Sequence, residues 1–136
     1  MNNIQYTKYL FDSVNKISFA NPGVIRDTYG KGENLTHDFL IKEANKFTKD
    51  ISIDYGGNFL ATYPGKLKKK IVIGSHLDSQ KHGGNFDGLT GVIMGLVLIK
   101  FFFELIVFQF YLFLHLLKLH FYFFHLTRNR YSLNIS

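Results

Sequence analysis

Residues 71–96 read IVIGSHLDSQKHGGNFDGLTGVIMGL, and the fold class hangs on how that stretch is taken. Ile71-Val72-Ile73-Gly74 is a short β-branched run with no polar alternation. Such a run predicts a strand buried on both faces of a sheet. It leads straight into Ser75-His76-Leu77-Asp78. In open α/β sheets, ligands bind beyond the carboxyl ends of the strands. His76 and Asp78 are two apart, so in extended chain they point to the same side. That spacing suits an imidazole that holds a metal ion while a carboxylate nearby orients the ring and raises its basicity. Asp87 follows, between Phe86 and Gly88. Its two oxygens could bridge two cations, as a two-metal site with ions roughly 3.5–4 Å apart requires. Gly83-Gly84 lets the intervening loop fold back, so that His76 and Asp87 can meet. From Gly88 to Lys100 the text predicts a helix apolar almost all round, with Asp87 at or near its N-cap.

Working outward toward the N-terminus, periodicity predicts two helices and a hairpin. Ile4, Leu10, Phe11, Val14 and Ile17 lie at near-helical spacing, and Asn21-Pro22-Gly23 ends that helix. Residues 24–32 read as a loop. A second helix over 33–49 places Leu35, Phe39, Leu40, Ala44 and Phe47 on one face. The period then drops to two: Ile51, Ile53 and Tyr55 alternate with Ser52 and Asp54. Gly56-Gly57-Asn58 supplies a tight reversal, and Phe59 to Tyr63 is the return strand. Helices alternating with strands predict an α/β layer architecture.

Composition bounds the rest. The 136 residues match one ordinary domain at about 100–200 residues. There is no Cys, which excludes disulfides, thiolate metal sites and Cys nucleophiles. The net charge of +6 is thinly spread. Its one cluster, Lys66, Lys68, Lys69 and Lys70, lacks the interleaved aromatics of a nucleic-acid surface and reads as a solvated turn. The N-terminal residues carry no secretory pattern, so a cytoplasmic location is expected.

Together, GSHLDS, HGGNFDG and GVIMGL resemble the first metal motif of the co-catalytic metal amidohydrolases. Within these they are most similar to the hydantoinase/carbamoylase group, which includes N-carbamoyl-L-amino-acid hydrolases and allantoate amidohydrolases. GVIRDTYGKGE at 23–33 and DYGGNFLATYPG at 54–65 agree with it, so the resemblance covers roughly residues 20–98. It implies a partial three-layer α/β/α metallohydrolase catalytic domain over residues 1–100. It also implies two divalent ions, Zn or Mn, a small amide or ureido substrate, and a homodimer in the intact family. His76 would ligate one metal, Asp87 would bridge both, and Asp78 would act on His76 as its catalytic partner. His82 matches a position that is not read as a ligand, and Gln80-Lys81 stands where members often carry Val-Pro.

The pattern breaks after residue 100. The family next supplies a Glu-Glu pair and later two more histidine ligands. After Asp87 the sequence holds only one acid, Glu104. His115, His120 and His125 recur at spacing five, which fits neither a helix face nor a strand face. Residues 1–100 hold 13 Lys/Arg and 9 Asp/Glu, whereas residues 101–136 hold 9 of the 15 Phe. FFFELIVFQFYLFLHLLKLHFYFFHL at 101–126 has two readings. One is a membrane segment, although its uncharged core, 105–117, is shorter than the about 20 residues needed to span a bilayer. The other is a frame slip near Lys100-Phe101 in A/T-rich coding DNA. Gly91 and Gly95 fit a helix packed closely on a sheet at least as well as a membrane dimer face. On either reading, the chain alone is expected to lack activity and to be poorly soluble.

Overall fold

The structure is a computed structural model that describes the backbone of residues 1–131 and the side chains of residues 1–118. His120 and His125 therefore lie outside the described side chains. The element order is α1 (Asn3–Ser18), α2 (Lys31–Ala44), β1 (Asp50–Ile53), β2 (Phe59–Thr62) and α3 (Leu89–Tyr131). Contacts divide the chain into a first unit, Met1–Phe103, and a second that begins at Glu104.

Helix α1 starts where Asn2 and Gln5 satisfy each other's backbone. Asn2 Oδ1 accepts from Gln5 N at 2.9 Å, and Gln5 Oε1 accepts from Asn2 N at 3.2 Å. Its buried line is Tyr6, Leu10, Val14 and Ser18, a strict four-residue step. Ile4, expected on that face, points to solvent instead. The four-residue line carries Tyr6 inward because its hydroxyl has a partner: it donates to Glu43 of α2 at 2.9 Å. Tyr9 donates to the same carboxylate at 3.1 Å, and Lys46 Nζ lies 2.6 Å from it. Burial, and then the Glu43 charge, raise the Tyr6 hydroxyl far above its ordinary pKa. Leu40 and Ala44 of α2 complete this side of the core.

The hairpin forms as the alternation predicts. β1 and β2 pair antiparallel, with Ile51 opposite Ala61 and Ile53 opposite Phe59. Asp54 closes the turn: its Oδ1 accepts from Gly56 N and Asn58 N, both at 2.9 Å. Asn58 Nδ2 donates to Oδ2 at 2.9 Å. These bonds hold the Asp54 carboxyl below its ordinary pKa, the Asn58 side chain contributing most.

The strand predicted at 71–74 is not formed. Those residues are irregular, and Ile71 and Val72 are 93% and 84% exposed. The physical reason is a missing partner. A doubly buried strand needs a ladder on each edge, and among the described residues β1 and β2 bond only to each other. The end of the run lies instead against the glycine side of α3. A Cβ built on Gly91 would lie 2.6 Å from Ser75 Cβ, and one on Gly95 would lie 3.7 Å from Ile73 Cγ2. The spacing of Gly91 and Gly95 therefore serves close packing within the first unit. Leu89, Ile93 and Leu96 of the same helix, with Leu77, close the core over Tyr6, Leu10 and Val14. Lys100 is buried, with Nζ 2.7 Å from Asn3 Oδ1 and over the Tyr6 ring.

In the second unit the helix continues with its side chains outward. Leu105, Ile106, Val107, Phe108, Phe110, Tyr111, Leu112, Phe113 and Leu114 are all exposed. The ring of His115 stacks on Tyr111. By length and composition, Leu89–Lys118 is long and apolar enough to cross a membrane.

Candidate metal centre

Two limbs of one loop carry the candidate residues. The first, Ser75 to Ser79, leaves the glycine side of α3. The second, Asn85 to Gly88, enters that helix. Gly88 joins them: it has φ +64°, and a Cβ there would lie 2.5 Å from both His76 Cε1 and the His76 carbonyl oxygen. Only glycine admits both that backbone and the imidazole against it.

His76, Asp78 and Asp87 line one cavity of about 330 Å³, with Asp27, Thr28, Ser79, Gln80 and Lys81. Asp78 Oδ1 lies 2.9 Å from His76 Nδ1, which turns Nε2 of the half-exposed ring away from that contact. Thr28 Oγ1 donates to the other Asp78 oxygen at 3.0 Å. The Asp78 carboxyl is held below its ordinary pKa, first by this Thr28 bond and then by His76.

Asp87 departs from the expected cap. The first free N–H groups of α3 are met by backbone carbonyls: Leu89 N by Asp87 O at 2.6 Å, and Thr90 N by Phe86 O at 3.1 Å. The side-chain carboxylate of Asp87 is thus not spent on the helix end. Its negative charge acts on Arg26.

Arg26, Asp27 and Thr28 belong to the irregular segment between α1 and α2. Arg26 is fully buried behind the cavity. Its Nε donates to Leu77 O at 2.6 Å, and Nη1 donates to Asn85 Oδ1 at 3.1 Å and Ser18 Oγ at 3.2 Å. Burial lowers the Arg26 pKa, and the negative charges of Asp78 and Asp87 oppose that shift. All of its direct partners are neutral acceptors, so the cation is shared between the two limbs and fixes their separation. A lone Arg bonding to a backbone carbonyl leaves no motif in the sequence.

The donor types suit a divalent cation of the zinc or manganese kind: one imidazole nitrogen turned outward and a carboxylate clear of the helix end. His82 is not among the residues lining the cavity, and its Nδ1 lies 2.9 Å from Pro22 O.

Comparison with known proteins finds three amidohydrolases. An N-carbamoyl-L-amino-acid amidohydrolase of Rhizobium meliloti is 33% identical over 101 residues, covering 67% of this chain. The chain is similar to N-carbamoyl-L-amino-acid amidohydrolases. A second protein of that name, from Paenarthrobacter aurescens, is 32% identical over 85 residues, or 61% of the chain. A third, from Pseudomonas sp. (strain NS671), is 35% identical over 51 residues. The chain spans 23%, 21% and 12% of the lengths of these three N-carbamoyl-L-amino-acid amidohydrolases. No family profile matches the chain. No solved structure matches it either.

Proposed function

We propose that residues 1–100 are the N-terminal part of the catalytic domain of a metal-dependent amidohydrolase of the carbamoylase group. Its substrates are linear amides cleaved at carbon–nitrogen bonds other than peptide bonds, with N-carbamoyl amino acids or allantoate-like ureides the class proposed. One observation carries this reading: His76, Asp78 and Asp87, singled out by their order along the chain, line a single cavity. Similarity to three curated N-carbamoyl-L-amino-acid amidohydrolases supports it.

Each residue then has a separate task. Asp78 holds the His76 proton on Nδ1, so that the Nε2 lone pair is directed at a ligand. Asp87 would offer its carboxylate oxygens, with the His76 nitrogen, to hold divalent cations, and such cations would supply Lewis acidity toward a carbonyl oxygen. Arg26 keeps the two limbs at a fixed spacing. In this reading the chain forms part of a three-layer α/β/α domain in a cytoplasmic homodimer. Alone it is inactive, because it holds neither the family's paired glutamates nor its later histidines.

The test is a transplant. Residues 20–98 replace the matching segment of a full-length N-carbamoyl-L-amino-acid amidohydrolase. The chimera is expected to release ammonia from an N-carbamoyl amino acid. Asp78→Ala should lower the rate about 10–100-fold, and His76→Ala or Asp87→Ala should abolish it. A folded chimera indifferent to all three changes overturns the reading. Calorimetry adds a second check on the chain alone, which is expected to take up no Zn²⁺ tightly at whole-number stoichiometry.

A second reading is a membrane-associated protein. The observation that favours it is the helix over residues 105–117, whose large apolar side chains are exposed. Recovery of the chain in a salt-resistant membrane fraction would support it. A glutamate pair encoded in another frame beyond Lys100 would support the frame slip instead.

A further inference from the structure

The segment Val24–Thr28 meets the site loop at alternate residues. Val24 exchanges backbone bonds with Gly83, at 3.0 and 3.1 Å. Arg26 O accepts from Ser79 N at 2.9 Å, and Arg26 N donates to Ser79 Oγ at 3.1 Å. Thr28 Oγ1 donates to Asp78 Oδ2 at 3.0 Å. Steps of two are those of extended chain, so one short strap presents three successive contacts to the loop.

The last contact has a chemical consequence. A neutral imidazole carries its proton on either nitrogen, and the hydrogen bond made by one nitrogen selects the state of the other. A carboxylate can only accept, so with Asp78 Oδ1 at 2.9 Å the proton belongs on Nδ1. A free Asp78 side chain would rotate between solvent and His76. Thr28 removes that freedom by holding the opposite oxygen. Arg26, buried and bonded to the carbonyl of Leu77 between His76 and Asp78, keeps the backbone beneath them still.

We propose that Thr28 is a positioning residue that selects the tautomer of His76, keeping Nδ1 protonated through Asp78 and Nε2 bare. That the bare nitrogen serves a divalent cation rests on the function proposed above. The tautomer assignment stands on the hydrogen bonds alone.

The experiment is nitrogen NMR of the full chain labelled with ¹⁵N-histidine, at a pH where the ring is neutral. In the wild type, Nδ1 is expected at the protonated shift and Nε2 at the unprotonated one. In Thr28→Val and Thr28→Ala the two shifts should move toward each other, as the tautomers mix. Thr28→Ser, which keeps the hydroxyl, should restore the separation. Thr28 is exposed, so these changes leave the core intact. Unchanged shifts in both Val and Ala variants overturn the proposal, as does a Ser variant that behaves like Val. Adding Mn²⁺ distinguishes the two claims. Paramagnetic broadening registers even weak, non-stoichiometric contact, so loss of tautomer control with no such broadening of the His76 signals upholds the positioning role and counts against a cation site at Nε2.

Discussion

The two halves of α3 are both strongly apolar and have different fates. From Leu89 to Lys100 the helix buries Leu89, Ile93 and Leu96 against α1, α2 and Leu77. From Glu104 to Leu117 it leaves equally apolar residues exposed. Local sequence makes both halves helical. What separates them is whether other elements of the chain present a surface of matching shape. Apolar content measures the free energy available from burial, and only a partner converts it into stability.

That contrast can be broken at several places. The largest effect is expected at Ile93, which is fully buried. Ile93→Ala should destabilise the first unit by about 2–5 kcal/mol, read from denaturant unfolding. A loss under about 0.5 kcal/mol would mean that the inner half is no better packed than the outer. Next is Gly88→Ala, which puts a Cβ at φ +64° and into the His76 ring. It should cost about 1–3 kcal/mol and move the His76 resonances, because the helix entry and the site share that backbone.

Acid offers a subtler probe, since it should act away from both halves of the helix. The Asp54 carboxyl has its folded-state pKa lowered by the bonds from Asn58 and Gly56. Its contribution to the hairpin is therefore complete above the ordinary carboxylate pKa of about 3.9 and is lost as pH falls through the lower folded value. Amide shifts of Gly56 and Asn58 should follow that titration, while those of residues 89–100 do not. The smallest effect is expected for Phe108→Ala, on the outer half: a change within about 0.5 kcal/mol in the unfolding of the first unit. A large loss there would show that the outer half is structural after all.

How much could be read in advance follows the same division between local and distant partners. The hairpin was legible because both strands and the Asp54–Asn58 turn lie within 13 residues, Asp50–Thr62. The run 71–74 has as strong a strand pattern, yet its pattern describes a sheet that these residues do not build. His76, Asp78 and Asp87 were legible because their chemistry is written in side chains only a few residues apart. Thr28 and Arg26 were not, since they reach Asp78 across 50 residues and Leu77 across 51, and one of the acceptors is a main-chain carbonyl. Asp87 lines the cavity with His76, and the capping expected of its side chain is supplied by main-chain carbonyls, its own among them. Ile4 was misplaced because a tyrosine with a carboxylate partner can be buried where apolarity alone would favour isoleucine.

Arg26 carries a further implication for how the cavity behaves toward solutes. Near neutrality its guanidinium keeps its proton. That fixed positive centre, with Lys81 in the lining, offsets much of the charge of Asp27, Asp78 and Asp87 around the cavity. The far field of this cluster is damped, because opposite charges close together cancel at a distance. Visiting ions are then discriminated at close range, by how well they shed water and fit the carboxylates, more than by attraction from a distance.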